Sequence, residues 1–140
     1  MNVEDCIQRG YLIPEPKDHA LIQKELQESQ HDFERAKKVF NDKDYKWTII
    51  TCYYSMFHAA KAVGFACGYR EKKHIALLIL LQDLNKQGKI EREFITSLHA
   101  AIDSRESADY QYTYSKPIAE HNLKIAEEFN KRMKRLIEEL

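Results

Sequence analysis

The sequence is poor in residues that interrupt helices, since its 140 residues include only four glycines and three prolines. Two of the prolines, Pro14 and Pro16, lie near the start of the chain. Glycine and proline are the least favourable residues in helix interiors, so their scarcity predicts an all-helical protein. The length fits one domain, which can bury about two thirds of its unfolded surface and needs no disulfide or metal to fold.

Three further absences exclude other classes of protein. Cys6, Cys52 and Cys67 form no CxxC pair, which predicts free thiols in a reducing cytoplasm. The 22 basic and 22 acidic residues cancel, which argues against a surface that is basic throughout and sheathes nucleic acid. The first residues do not resemble a signal peptide, and the longest apolar run, Ile75–Leu81, is too short to span a membrane. We expect no membrane contact, no metal and no cofactor.

An irregular arm followed by five long helices is the predicted architecture. The arm covers residues 1–17 and includes a short helical turn near Val3–Arg9. Asp18 and Asp44 are placed to cap the first two helices, and the second helix is apolar nearly all round, which predicts a central position. Short connections favour a single up-and-down bundle of four to five helices over residues 18–140. The predicted helices cover 19–40, 45–67, 74–86, 90–108 and 118–140, with a loop at 69–73.

The segment Tyr53–Lys61 of the second helix is the first that could carry chemistry. Its aromatic residues are typical of core packing. His58 and Lys61 lie three residues apart on one helical face. They are either a hydrogen-bonded histidine and a snorkelling lysine or a pair of functional groups.

A second segment, Arg70–His74, opens the third helix with five consecutive polar or ionisable residues. One interpretation is a phosphate-binding corner, in which cations and helix N-terminal amides converge on an anion. The other is a solvated loop, because Glu71 dilutes the positive potential.

The third segment, Ser104–Tyr114, lies where the fourth helix ends. Arg105 and Asp109 are four residues apart and can form an ion pair across one turn, which stabilises little if it is exposed. The tyrosines either cover the end of the bundle or, with the arginine, grip a phosphate and stack on a base. Both interpretations remain open from the residues alone. No glycine-rich phosphate loop, HExxH or GxSxG motif is present.

Taken in order, three segments resemble the HEPN superfamily (higher eukaryote and prokaryote nucleotide-binding domains), specifically small prokaryotic proteins found beside minimal nucleotidyltransferases. The segments are Tyr53–Lys61, Lys73–His74 and Arg105–Tyr110, and the resemblance covers nearly everything from about Asp18 to Leu140. It implies a cytoplasmic helical bundle that forms a homodimer and works with a nucleotidyltransferase partner. It also implies binding of nucleotide or RNA, in a toxin–antitoxin-type module.

The resemblance also implies roles for single residues. Family members with an arginine followed a few residues later by a histidine are metal-independent ribonucleases, in which both groups meet at the dimer interface. Carried over, Arg105 contacts the scissile phosphate and stabilises its developing charge. The histidine position falls at Tyr110, and a phenol, with a pKa of about 10, is a poor general base at neutral pH. Tyr112 corresponds to a tyrosine that partner transferases modify with AMP.

We therefore favour a module that binds nucleotide or RNA phosphate, and its candidate contacts are Arg105, Asp109, Tyr110, Lys73 and His74. The first alternative is a metal-independent endoribonuclease in which Arg105 holds phosphate at a dimer interface and Tyr110, or a displaced His58 or His74, moves protons. The second is a purely structural bundle in which the tyrosines serve as packing.

Overall fold

The computed structural model describes residues 1–140 as six helices and one small two-stranded sheet. The all-helical prediction is confirmed, because the two strands hold only three residues each. No helix combines the length and the hydropathy that crossing a membrane requires. In chain order the elements are α1 (Val3–Gln8), β1 (Leu12–Pro14), α2 (His19–Asn41), α3 (Tyr45–Ala66), β2 (Tyr69–Glu71), α4 (His74–Lys86), α5 (Arg92–Tyr110) and α6 (Lys116–Glu139).

The ends of the long helices follow from capping residues. Asp18 accepts hydrogen bonds from two backbone N–H groups in the first turn of α2, and Asp44 accepts one from Trp47 in α3. Carboxylates in this position satisfy donors that have no partner inside the helix. After α3, Gly68 adopts a left-handed φ of 87°, which glycine tolerates without strain. The predicted bounds therefore agree with the observed ones to within a few residues.

The N-terminal segment is more regular than the predicted arm. It contains α1 and the strand β1, which pairs antiparallel with β2, so the predicted loop at 69–73 is in part a strand. Cys6 and Leu12 are buried against Ala76 and Ile79 of α4. Three-residue strands have too little sequence for an alternating pattern to show. A domain boundary at residue 17 stays a prediction.

The bundle is built around α3, which packs against α2, α4, α5, α6 and β2. Ile22 of α2 lies with Phe65, and Phe40 lies with Tyr45, so α2 and α3 run antiparallel. The main core is formed by all five long helices and includes Phe129 and Met133 of α6, both fully buried. The predicted central position of the second helix matches this packing.

One side of α3 nevertheless stays open to solvent. Between Thr48 and Ala66, only five residues of this helix are not buried. Their positions, 51, 54, 57, 58 and 61, fall within one face of the helix, and the exposed Trp47 continues the same line at the helix start. We call this line the open strip: Trp47, Thr51, Tyr54, Phe57, His58 and Lys61.

Because the core is closely packed, removing one of its buried side chains should lower the free energy of unfolding strongly. Phe129→Ala removes a fully buried ring, and we expect the free energy of unfolding to fall by about 3–5 kcal/mol, measured by urea denaturation. The control is Trp47→Ala, since that ring is 51% exposed, and its expected loss is no more than about 1 kcal/mol. Equal losses in the two variants would contradict the described core.

Candidate functional site

Arg105 of α5 lies across the open strip. Its guanidinium carbon is 5.3 Å from the ring centre of Tyr53 and 5.9 Å from that of Tyr54, and Nη2 is 3.5 Å from the Tyr54 hydroxyl. One turn later, Asp109 Oδ2 approaches Arg105 Nε at 3.3 Å. This Nε atom is buried and makes no aligned hydrogen bond, so the pair is held by charge alone. The side chain is 27% exposed, so part of it faces solvent.

His74, the first residue of α4, reaches the same place from the other side. Its Nδ1 is 2.7 Å from the Tyr53 hydroxyl, and its ring centre is 3.9 Å from that of Phe57. Burial lowers the pKa of His74, the positive charges of Arg105 and Lys61 lower it further, and Glu71 opposes them. The imidazole is therefore mainly neutral at pH 7. Burial also raises the pKa of Tyr53, so its hydroxyl keeps its proton.

A chain of charged side chains occupies the far end of the open strip. His58 Nδ1–H donates to Glu25 at 2.7 Å, and His58 Nε2 is 3.6 Å from Asp32. Lys61 lies between two carboxylates, 3.8 Å from Glu25 and 3.4 Å from Glu71. The hydrogen bond to Glu25 raises the pKa of His58, burial opposes it, and the charges of Glu25 and Asp32 add to the increase. His58 and Lys61 are thus both paired with carboxylates, and the choice between their two interpretations stays open.

The residues proposed from the sequence fall into two groups. Arg105 and Asp109 form the predicted pair, and His74 joins them through Tyr53. Tyr110 and Tyr112 are 73% and 76% exposed, and the hydrogen bond and cation–π contacts of Arg105 are made with Tyr53 and Tyr54 instead. Their roles, like those of the other candidate site residues, stay predictions.

The residues of the predicted corner, Arg70–His74, make contacts in two different places. Arg70 makes a bidentate pair with Glu15, with distances of 2.9 and 3.0 Å, and Lys73 stands 5.1 Å from the ring centre of Tyr11. Both cations therefore hold the N-terminal segment. Only His74 turns toward Arg105.

Sequence reasoning misses the part that Tyr53 and Tyr54 play. The sequence pattern places Tyr53 in the core, where it is indeed buried, but its hydroxyl also anchors His74. Tyr54 has no predicted role, although it shares a helical face with His58 and Lys61 at positions i, i+4 and i+7. That spacing is the signal that could have found it.

Elsewhere the surface offers less defined chemistry. A groove of about 560 Å³ runs between α2 and α6, away from Arg105, and is lined mainly by glutamine, lysine and glutamate side chains. Beside it, the Ser29 and Ser55 hydroxyls each donate to the other residue's carbonyl and Asn130 Nδ2 donates to Ser55 Oγ, whereas the buried Asn130 Oδ1 has no partner. Nowhere do three His, Cys, Asp or Glu side chains converge in a way that could hold a metal ion.

The fold and the site together define an all-helical bundle in which an arginine lies over tyrosine rings of the central helix. The family model described as HEPN domain matches residues 22–138. The chain belongs to the HEPN domain family.

Named relatives agree with this assignment. A "UPF0332 protein" from Archaeoglobus fulgidus is 34% identical over 104 residues, which cover 73% of this chain and 83% of that protein. From Methanocaldococcus jannaschii, "Putative toxin MJ0605" is 29% identical over 134 residues, covering 86% and 98% of the two chains. "Putative toxin MJ0142" is 27% identical over 93 residues, covering 66% and 63%. This is therefore an HEPN protein with toxin-like relatives.

A solved structure shares the fold. The crystal structure of TT1696 from Thermus thermophilus superimposes with a TM-score of 0.72 at 18% identity, covering 82% of this chain and 97% of that one. At this identity the likeness shows the fold alone.

The His58–Glu25 pair predicts how stability depends on pH. Because the pKa of His58 is raised on folding, the folded chain keeps a proton that the unfolded chain loses. This contribution is complete below the unfolded pKa of about 6.5 and is lost as pH rises through the folded pKa. We expect the free energy of unfolding, measured in urea at several pH values, to fall across that window.

His58→Gln should remove this decline, because glutamine does not titrate. The matched control is His121→Gln at an exposed position of α6, which should keep it. The same decline in both variants would mean that another group is responsible.

Proposed function

We propose that this HEPN protein binds a phosphate of RNA or of a nucleotide at Arg105 and works with a nucleotidyltransferase partner in a toxin–antitoxin-type module. The single observation that carries the proposal is the partly exposed Arg105 side chain, whose guanidinium is held in place by Tyr53, Tyr54 and Asp109. An arginine fixed in this way has lost part of its side-chain entropy before the ligand arrives.

The neighbouring groups suit a phosphate ligand. Arginine has five N–H donors, and the contacts with Asp109 and Tyr54 leave most of them free for the oxygens of an anion. Asp109 orients the guanidinium and offsets part of its positive potential. Binding is therefore limited to ligands whose oxygens match the positions of the free N–H donors. His74 is the second proposed contact, while Lys73 and Tyr110 are peripheral ones next to it and to Asp109.

The proposed partner acts on Tyr112. Its ring is 76% exposed, and its backbone has a left-handed φ of 54°, uncommon for a residue with a side chain. An exposed hydroxyl beside the end of α5 is accessible to a transferase that attaches AMP. The resemblance to proteins encoded beside such transferases and the names of the two relatives from M. jannaschii support this proposal. A homodimer with two Arg105 side chains at its interface belongs to the same proposal.

Binding of AMP and of a short RNA tests the role of Arg105. Arg105→Ala removes charge-assisted hydrogen bonds, so we expect both affinities, measured by calorimetry, to fall about 10- to 100-fold. Arg105→Lys should recover only part of the loss, because lysine has no planar fork. Arg92→Ala, at the opposite end of α5, is the matched control and should bind as the wild type does. Unchanged affinity in Arg105→Ala would refute the proposal.

The second candidate function is a metal-independent endoribonuclease. The observation that favours it is His74, a mainly neutral imidazole on the same tyrosine that supports Arg105. A neutral imidazole near the phosphate can accept a proton at pH 7, which a phenol does poorly. His74 therefore supplies chemistry that Tyr110 lacks.

Cleavage of RNA in the presence of a chelator tests this second function. We expect cleavage to persist with chelator, to disappear in Arg105→Ala, and to fall at least about 100-fold in His74→Gln, in line with general base catalysis. Tyr110→Phe should then retain activity. Intact RNA at high wild-type concentration would exclude the ribonuclease and leave the binding proposal untouched.

A further inference from the structure

The open strip of α3 changes character along its length. At one end, His58 and Lys61 are surrounded by the carboxylates of Glu25, Asp32 and Glu71. These side chains neutralise the two cations and repel any further anion. A chain of phosphates that starts at Arg105 therefore has an unfavourable path toward His58.

Toward the start of α3, the strip carries aromatic side chains instead of charged ones. From Tyr54 the strip continues through Thr51 to Trp47. Asp44, just before α3, accepts the backbone N–H of Trp47 at 3.2 Å, and Lys43 and Lys46 flank it in sequence. The strip itself carries no carboxylate between Tyr54 and Trp47.

Trp47 is the feature that the packing of the bundle does not explain. It is the chain's one tryptophan and is 51% exposed, although it stands at the start of the most buried helix. Trp47 and Tyr54 are seven residues apart, almost two turns, so they lie on the same face about 10 Å apart along the axis. Tyr54, 38% exposed, already touches Arg105 through its hydroxyl. The strip thus extends from Arg105, the proposed phosphate contact, to the exposed ring of Trp47.

We propose that the strip between Arg105 and Trp47 binds single-stranded RNA, with a phosphate on Arg105 and a neighbouring base stacked on the Trp47 ring. This inference rests on the proposed phosphate binding at Arg105 and extends it to a class of ligand. Aromatic side chains accept the face of any base, and that face is free only where the strand is unpaired. Trp47 therefore favours an unpaired strand over both a duplex and a single nucleotide.

Because Trp47 is the one tryptophan, its fluorescence reports stacking directly. We expect an oligoadenylate RNA of about six nucleotides to quench this emission on binding. AMP should bind at Arg105 with little quenching, and a duplex RNA of matching length should bind more weakly than the single strand and leave the emission unchanged.

Variants at Trp47 give the second measurement, by anisotropy of a labelled oligoadenylate. Trp47→Ala should lower RNA affinity between about fivefold and a hundredfold, the effect of losing one stacked base, while AMP affinity changes less than about twofold. Trp47→Phe keeps an aromatic face and should retain most of the affinity. Ile13→Ala, a similarly exposed apolar side chain on β1, is the control and should bind RNA normally.

The possible results separate this inference from the function on which it rests. If RNA and AMP bind in an Arg105-dependent way but Trp47→Ala has no effect, only the stacking site is refuted. If neither ligand binds the wild type, both proposals fall. If Trp47→Ala converts a dimer into monomers without changing RNA affinity per chain, the strip is an interface between two copies, and the stacking site is again refuted.

Discussion

The burial of α3 among four other long helices is the constraint on which the rest of the structure depends. Fourteen of the 22 residues of this helix are buried, and the main core packs around them with residues of α2, α4, α5 and α6. Burial of this much apolar surface is the dominant favourable term in folding. Once α3 is central, the positions of its neighbours are limited, and the one side that they leave uncovered becomes the open strip.

Polar groups on that strip, and the Tyr53 hydroxyl beside it, need partners, because an unpaired donor or charge that is removed from water destabilises the fold. His58 and Lys61 find carboxylates on α2 and β2, whereas Tyr53 finds His74 at the start of α4. Arg105 approaches from α5 and rests on tyrosine faces, with Asp109 as its one ionic partner. The first set is internally neutralised, and the Arg105 group keeps donors available for a ligand. The proposed function is placed at Arg105 because its N–H donors are only partly paired, whereas His58 and Lys61 are already paired with carboxylates.

The site combines groups from separate elements, so an imidazole, that of His74, shares the Tyr53 side chain with Arg105 although position 110 carries a tyrosine. His74 and Arg105 are 31 positions apart in sequence and are joined only through Tyr53. Tyr110 at the end of α5, and Tyr112 and Tyr114 after it, lie outside this group and are exposed. The proposed binding at Arg105 and the proposed modification at Tyr112 therefore involve separate groups at the same end of α5.

Most of the fold followed from local chemistry that is written in the sequence. Sparse glycine and proline, the carboxylates of Asp18 and Asp44 and the apolar periodicity were sufficient for five helices and a central α3, because caps and periodicity act within a few residues. The strands β1 and β2 did not follow, since each is short and exists only through pairing with the other. The ion pair of Arg105 and Asp109, being one turn apart, was also predictable.

Tertiary packing alone decided which of the polar residues meet. Arg70 and Lys73 looked equivalent to His74 in sequence, yet they turn toward Glu15 and Tyr11, while His74 turns toward Tyr53. These choices depend on how α4 and the N-terminal segment dock on α3. Contacts between residues far apart in sequence are set by the burial of whole helices, and no local pattern encodes them.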